Sequence, residues 1–183
     1  MKRFAALVLV LMMVFSASAM AEGTLRVGME CNYAPFNWTQ AEASHTAVPL
    51  SGGGYADGYD VQIAKLIAEG LGMELEIVKT EWDGLPMGVM SGKLDAVIAG
   101  MSPTEERKVT LDFTDNYYES QLVIVVRADS AYAEAKTLDD FAGAKLTGQL
   151  NTFHYAVLSQ ADKATVVTAM ETFPAMIVAL KAG

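Results

Sequence analysis

Hydrophobic positions along this chain switch between a period of two and a period near 3.6, and the switching predicts an α/β fold. Leu25, Val27 and Met29 alternate with polar or small residues, as in a strand. Ile63, Leu66, Ile67 and Leu71 then recur at helical spacing, with Gly70 placed to end the helix. Met73, Leu75 and Ile77 predict a second strand, Leu85 to Met90 a short helix closed near Gly92, and Leu94 to Ala99 an apolar strand. The order β-α-β-α-β implies a mostly parallel sheet in a three-layer arrangement. Between the first strand and helix, Asn37 to Gly58 reads as a surface loop, flexible at Gly52-Gly53-Gly54. It lacks the glycine and lysine pattern of a phosphate-binding loop.

A second unit is expected after residue 126. Gln121 to Val126 is a continuous apolar strand, and the polar stretch Arg127 to Lys136 reads as a boundary. Thr137-Leu138-Asp139-Asp140 starts a helix that Gly143 ends, and Lys145 to Gln149 forms a strand entering a loop at Asn151. Thr172-Phe173-Pro174 opens another helix, with Met176, Ile177 and Leu180 on one face. Met176 to Gly183 echoes Leu85 to Gly92, but only the first copy is followed by a strand. A sheet begun at Lys145 with a single strand cannot bury a helix, so this unit is expected to stop short of completion and the 183-residue chain to bind ligand poorly.

Composition and the first residues set the compartment. Lys2 and Arg3 precede an apolar run from Phe4 to Phe15, followed by small residues in A-x-A register up to Ala21. This is the pattern of a secretory signal peptide over residues 1–21, which places the mature protein in the periplasm or otherwise outside the cytoplasm. A net charge of −9 with 52% hydrophobic residues describes a core-forming protein without the basic excess that nucleic acid or anionic lipid requires. Cys31 is the only cysteine, which rules out an intrachain disulfide and suits a small buried residue. The only histidines, His45 and His154, sit in separate expected loops without ligand-like spacing, and no nucleophile is paired with a base. Neither a metal, a cofactor nor a catalytic residue is expected.

The densest chemistry lies in Gly100-Met101-Ser102-Pro103-Thr104-Glu105-Glu106-Arg107-Lys108. Ser102 is placed to cap a helix, with Pro103 at its first position and Glu105 completing a capping box. Helical side chains lean toward the N-terminus, so Arg107 can swing back toward the free N–H groups there. A cation near the positive end of a helix is unfavourable unless an anion joins it. One reading pairs Arg107 with Glu105 or Glu106 on the surface. The other makes a carboxylate site from N–H groups, the Ser102 hydroxyl and the guanidinium.

Five stretches together resemble the polar amino-acid-binding proteins of ABC importers, the family 3 extracellular solute-binding proteins. They are L-R-V-G-M-E-C-N-Y-A-P-F (Leu25 to Phe36), D-G-Y-D-V-Q-I-A-K (Asp57 to Lys65), E-W-D-G-L (Glu81 to Leu85), S-G-K-L-D-A-V-I-A-G-M-S-P-T-E-E-R-K (Ser91 to Lys108) and L-D-F-T-D-N-Y-Y-E-S (Leu111 to Ser120). The resemblance implies a two-lobe α/β fold of the type II periplasmic-binding-protein class with an incomplete second lobe. Lobe 1 would span 22–126 including a first crossing strand, and partial lobe 2 would span 127–183.

By position in that family, Arg107 would hold the ligand carboxylate with the Ser102 N–H, while the Gly100 carbonyl and Ser102 hydroxyl would accept from its ammonium. Tyr33 and Trp82 would bracket the side chain, and Glu30 would meet the side-chain end, favouring a cationic or amide amino acid. Thr152 and Phe153 stand where the family carries a G-T-T-like loop, here Asn151-Thr152-Phe153. The implied function is extracytoplasmic capture of a polar amino acid by a monomer, for delivery to an ABC permease. A dehydratase on the same fold, or the sensor domain of a receptor, are the alternatives.

Overall fold

A computed structural model describes residues 23–183, so the expected signal peptide lies outside the described residues. The first predicted strand is β1 (Thr24–Met29), and it lies between β6 (Glu74–Lys79) and β7 (Ala96–Val97) in a parallel sheet. Thr24 pairs with Glu74 and Met29 with Lys79, while Val27 pairs with Ala96. A strand paired on both edges is largely covered, and Leu25, Val27 and Met29 are all buried. Gly28 between them faces the other way, where an added Cβ would collide with the side chains of Leu85 and Leu94. That absence lets α2 (Gly84–Met90) approach the sheet closely.

The helix α1 (Tyr59–Leu71) forms as expected, but it buries a different stripe. Asp60, Val61, Ala64 and Ala68 face inward, whereas Leu66, Ile67 and Leu71 are exposed. Small residues let the helix axis sit near the sheet, a gain that hydrophobicity alone does not register. Its stop is Gly72 rather than Gly70. Gly72 takes the left-handed conformation at φ 66° and donates its N–H to the carbonyls of Ala68 and Glu69.

Residues 37–58, read as a loop, instead hold three short strands. β3 (Asn37–Gln40), β4 (Val48–Pro49) and β5 (Tyr55–Asp57) join β2 (Asn32–Tyr33) in an antiparallel sheet of order β2-β3-β5-β4. Conversely, Gln121–Val126 is not a strand, and Val123 and Val125 are exposed. A strand exists by its neighbour's hydrogen bonds, and no strand among the described residues pairs with this one.

The second unit has its own small core of Phe141, Ala144, Leu146 and Ala161, against which Ile124 and Val126 pack. Thr137 and Asp140 form a capping box around a 3-10 turn, Leu138–Phe141, and Gly143 follows at φ 76°. The expected single strand is joined by a second, since β8 (Lys145–Leu146) pairs in parallel with β9 (Thr165–Val166). A bridge from Gln149 to Met170 extends the pairing. The last helix (Phe173–Ala182) starts where Thr172 accepts the Ala175 N–H at 3.3 Å, with Pro174 in its first turn as predicted.

Candidate ligand-binding cleft

The motif carrying Arg107 folds with a shifted start. Helix α3 (Glu105–Lys108) is capped by Thr104, whose hydroxyl accepts the Arg107 N–H at 3.3 Å; Ser102 and Pro103 lie outside it. Both Ser102 and Thr104 are good caps, and the extended backbone of Thr104 (ψ 153°) places its hydroxyl over the first turn. Ser102 contributes its carbonyl instead, accepting from Thr104 N–H at 2.9 Å and from Arg107 Nη1 at 3.0 Å. Glu105 pairs with Lys108 at 2.8 Å, so the expected capping box with Ser102 does not form.

Arg107 is therefore a half-buried cation without an ion-pair partner among the described residues. Its Nη2 donates to the Asn151 carbonyl at 3.0 Å, and its guanidinium lies 5.5 Å from the Trp82 ring centroid. Burial lowers its pKa, partly offset by Glu106. The Trp82 indole donates to the same Asn151 carbonyl at 3.1 Å. Two donors from the first unit thus converge on one oxygen of the second. The Asn151 side chain adds a bond to Asp83 at 2.9 Å, and its φ of 56° turns the chain back there.

Glu30, at the end of β1, is only 6% exposed. It accepts from Gln149 Nε2 at 2.9 Å, another contact between the two units. Burial pushes its carboxyl up, opposed by hydrogen bonding from Gln149 and Asn32 and reinforced by the nearby charges of Glu81 and Asp83. The Asn32 side-chain oxygen close by is buried without a hydrogen-bond partner among the described residues. Tyr33 stacks on Phe36 at 5.2 Å and meets Phe173 edge-on at 4.9 Å. Gly100 lies beneath it, where an added Cβ would come 4.0 Å from the Tyr33 ring.

Of the expected site residues, Glu30, Tyr33, Trp82, Gly100, Ser102 and Arg107 come together on the first unit. Thr152 faces a different task. It caps helix α4 (Phe153–Ala156), donating to the Gln149 carbonyl at 2.6 Å and accepting from Tyr155 N–H at 3.2 Å. Phe153 is largely exposed, and His154 lies on α4 rather than in a loop. Sequence reasoning missed Gln149, Asp83 and Phe173. Their only signal was proximity to a recognised position, because each acts through a partner distant in sequence. No group of side chains suited to a metal ion occurs among the described residues.

The sequence model of the bacterial extracellular solute-binding proteins, family 3, matches residues 25–181. The chain belongs to this family. Over 129 residues it is 33% identical to a protein of Campylobacter jejuni named a probable histidine-binding protein, covering 70% of this chain and 45% of that one. It is 32% identical to the arginine-binding extracellular protein ArtP of Bacillus subtilis, covering 67% of this chain and 44% of that one. The chain thus spans about half the length of the curated relatives it matches.

Among solved structures, the arginine-bound form of a truncated arginine-binding protein from T. maritima superposes with a TM-score of 0.73 at 35% identity. That match covers 90% of this chain and 71% of the other. An ancestral amino-acid-binding protein, a precursor of cyclohexadienyl dehydratase, gives 0.75 at 32% identity over 90% and 68%. The fold of this family 3 chain is the α/β type II periplasmic-binding-protein fold. No described helix is long and apolar enough to cross a membrane.

Proposed function

We propose that this protein binds a free amino acid with a cationic or amide side chain outside the cytoplasm, as a monomer, and delivers it to an ABC permease in the membrane. The observation that carries the reading is Arg107, a half-buried guanidinium that among the described residues donates only to the neutral carbonyls of Ser102 and Asn151. A desolvated cation so placed gains most from an anion that offers two oxygens in its plane. The ligand carboxylate would take the place of the Asn151 carbonyl, while the Gly100 carbonyl and Ser102 hydroxyl receive the ammonium.

Glu30 and the unpartnered Asn32 oxygen are acceptors at the other end, which suits a side chain rich in donors. Tyr33 and Trp82 would flank that side chain, and backbone groups of Thr152 and Phe153 would close over it. Two separate apolar clusters support a division into two lobes, proposed as 22–126 and 127–183, with Ile124 and Val126 packing onto the second cluster. The family and the relatives named above are binding proteins, which supports capture rather than turnover.

Titration calorimetry with arginine, lysine, histidine, glutamine, cystine and glutamate tests the reading. In the full-length protein at least one cationic or amide ligand should bind with roughly micromolar affinity, and glutamate should not. Preference for an acidic or purely apolar amino acid would overturn it.

A further inference from the structure

Asp60, in the first turn of α1, is fully buried, and among the described residues no cation is hydrogen-bonded to it. It accepts from Asn37 Nδ2 at 2.7 Å and from the Tyr117 hydroxyl at 2.9 Å. A carboxylate can only accept, so the single Tyr117 proton is committed to it. Burial, with Asp60 beside it, pushes the Tyr117 phenol up and so keeps that proton in place. What the hydroxyl oxygen has left is a lone pair, and it accepts the Gly100 N–H at 2.9 Å. At the far end, Asn37 Oδ1 accepts the N–H of Cys31 at 2.9 Å, where the chain takes a φ of 55°.

These four bonds tie together the two segments that carry the lobe 1 ligand contacts, Glu30–Tyr33 and Gly100–Ser102. Gly100 has a φ of 64° and little steric preference of its own, so its carbonyl direction depends on what holds its flanks. On one side its N–H is held by Tyr117; on the other the Ser102 carbonyl is held by Thr104 and Arg107. Tyr117 lies in a stretch without regular structure, yet its own carbonyl accepts from the Tyr59 hydroxyl at 3.1 Å. An isolated buried carboxylate is costly, and a fully satisfied network that fixes one geometry is what such a cost obtains.

We infer that Asn37, Asp60 and Tyr117 are positioning residues, a relay that sets the Gly100 carbonyl for the ligand ammonium; this rests on the amino-acid reading above. None of the three touches the ligand. Tyr117 holds Gly100 directly, so its loss should appear chiefly in the part of the affinity that depends on the ammonium.

The test uses Tyr117→Phe in the full-length protein, with calorimetry against arginine and against its analogue lacking the α-amino group. Arginine should bind roughly ten-fold more weakly, the cost of leaving a donor unpaired beside a charged group, while the analogue loses far less. Amide hydrogen exchange should show Gly100 losing protection without a general loss across the β1 sheet. Asp60→Asn keeps the shape and should give the same split if Tyr117→Phe folds poorly. Equal losses for both ligands, or a Gly100 amide still protected in Tyr117→Phe, would overturn the relay. Wild-type protein that binds no amino acid instead sinks the amino-acid reading, an outcome distinct from a variant that binds as well as wild type.

Discussion

The two units of this protein are held together by different means. The first has a core that joins Val27, Met29, Val61, Ile77, Leu85 and Leu94 across a sheet and two helices. The second centres on Phe141, Ala144, Leu146 and Ala161, and its sheet pairs only two residues of each strand besides one bridge. The proposed ligand-facing groups of the first unit lie at the ends of its elements, with Tyr33 on β2, Gly100 and Ser102 in the segment before α3, and Arg107 on α3. Those of the second reside in a loop, 149–152, whose position depends on polar contacts to Glu30, Trp82, Asp83 and Arg107. In the proposed cleft the first unit would form the fixed wall, with ligand and loop competing for the same donors.

The contrast is broken most severely at Arg107. Arg107→Ala removes the cation from the fixed wall, and losing one partner of a buried charge pair costs about 2–5 kcal/mol, or roughly thirty-fold to several thousand-fold in affinity. Calorimetry with the best ligand of the panel should show this, and wild-type affinity would exclude a carboxylate role.

Core truncations measure the frames themselves. Leu85→Ala, at a fully buried position, should cost about 3–4 kcal/mol in urea unfolding. Leu146→Ala should cost about 2 kcal/mol or less, because a thinner core collapses more readily around the gap. Equal costs would mean that the two units are equally packed.

Glu30→Gln sharpens the comparison at the point where the units meet. It keeps a partner for Gln149 but removes the charge, so arginine or lysine should lose about 1–2 kcal/mol of binding more than glutamine does. Uniform losses across the panel would give Glu30 a structural role only.

The smallest effect belongs to a surface pair on the first unit. Arg26 grips Asp95 through both carboxylate oxygens, at 2.9 and 2.7 Å, holding its pKa down to about 2. A depressed carboxylate stabilises the fold above its unfolded pKa, and that contribution is lost as pH falls through about 2. Asp95→Asn should therefore lower the melting temperature slightly at neutral pH, with the difference from wild type closing as acid is added below about pH 4.

Much of this was legible because it is local. Strands β1 and β6, the helix starts at Thr172 and Thr137, and the buried Cys31 follow from period, cap chemistry and residue type within a few positions. The grouping of Glu30, Tyr33, Trp82, Gly100 and Arg107 came from resemblance to a family; the fold sets Gly100 against the Tyr33 ring and Arg107 against Trp82. Errors fell where a local signal had two solutions. Ser102 and Thr104 compete as caps, and only the backbone direction chose Thr104. Leu66, Ile67 and Leu71 make a plausible helical stripe, yet Val61, Ala64 and Ala68 allow the closer approach to the sheet. Gln121 to Val126 has a strand's composition without a paired neighbour.

By itself, then, the sequence determined the β-α-β-α-β order of the parallel sheet and its helices and the presence of a cation within α3, since each depends on residues within one or two turns of each other. Only the tertiary structure decided that the Asn151 carbonyl faces Arg107 and Trp82, that Gln149 meets Glu30, and that Tyr117 links Asp60 to Gly100. Those contacts join residues 17 to 119 positions apart. Nothing in local periodicity encodes them, because they arise only when separately folded surfaces are brought within hydrogen-bonding distance.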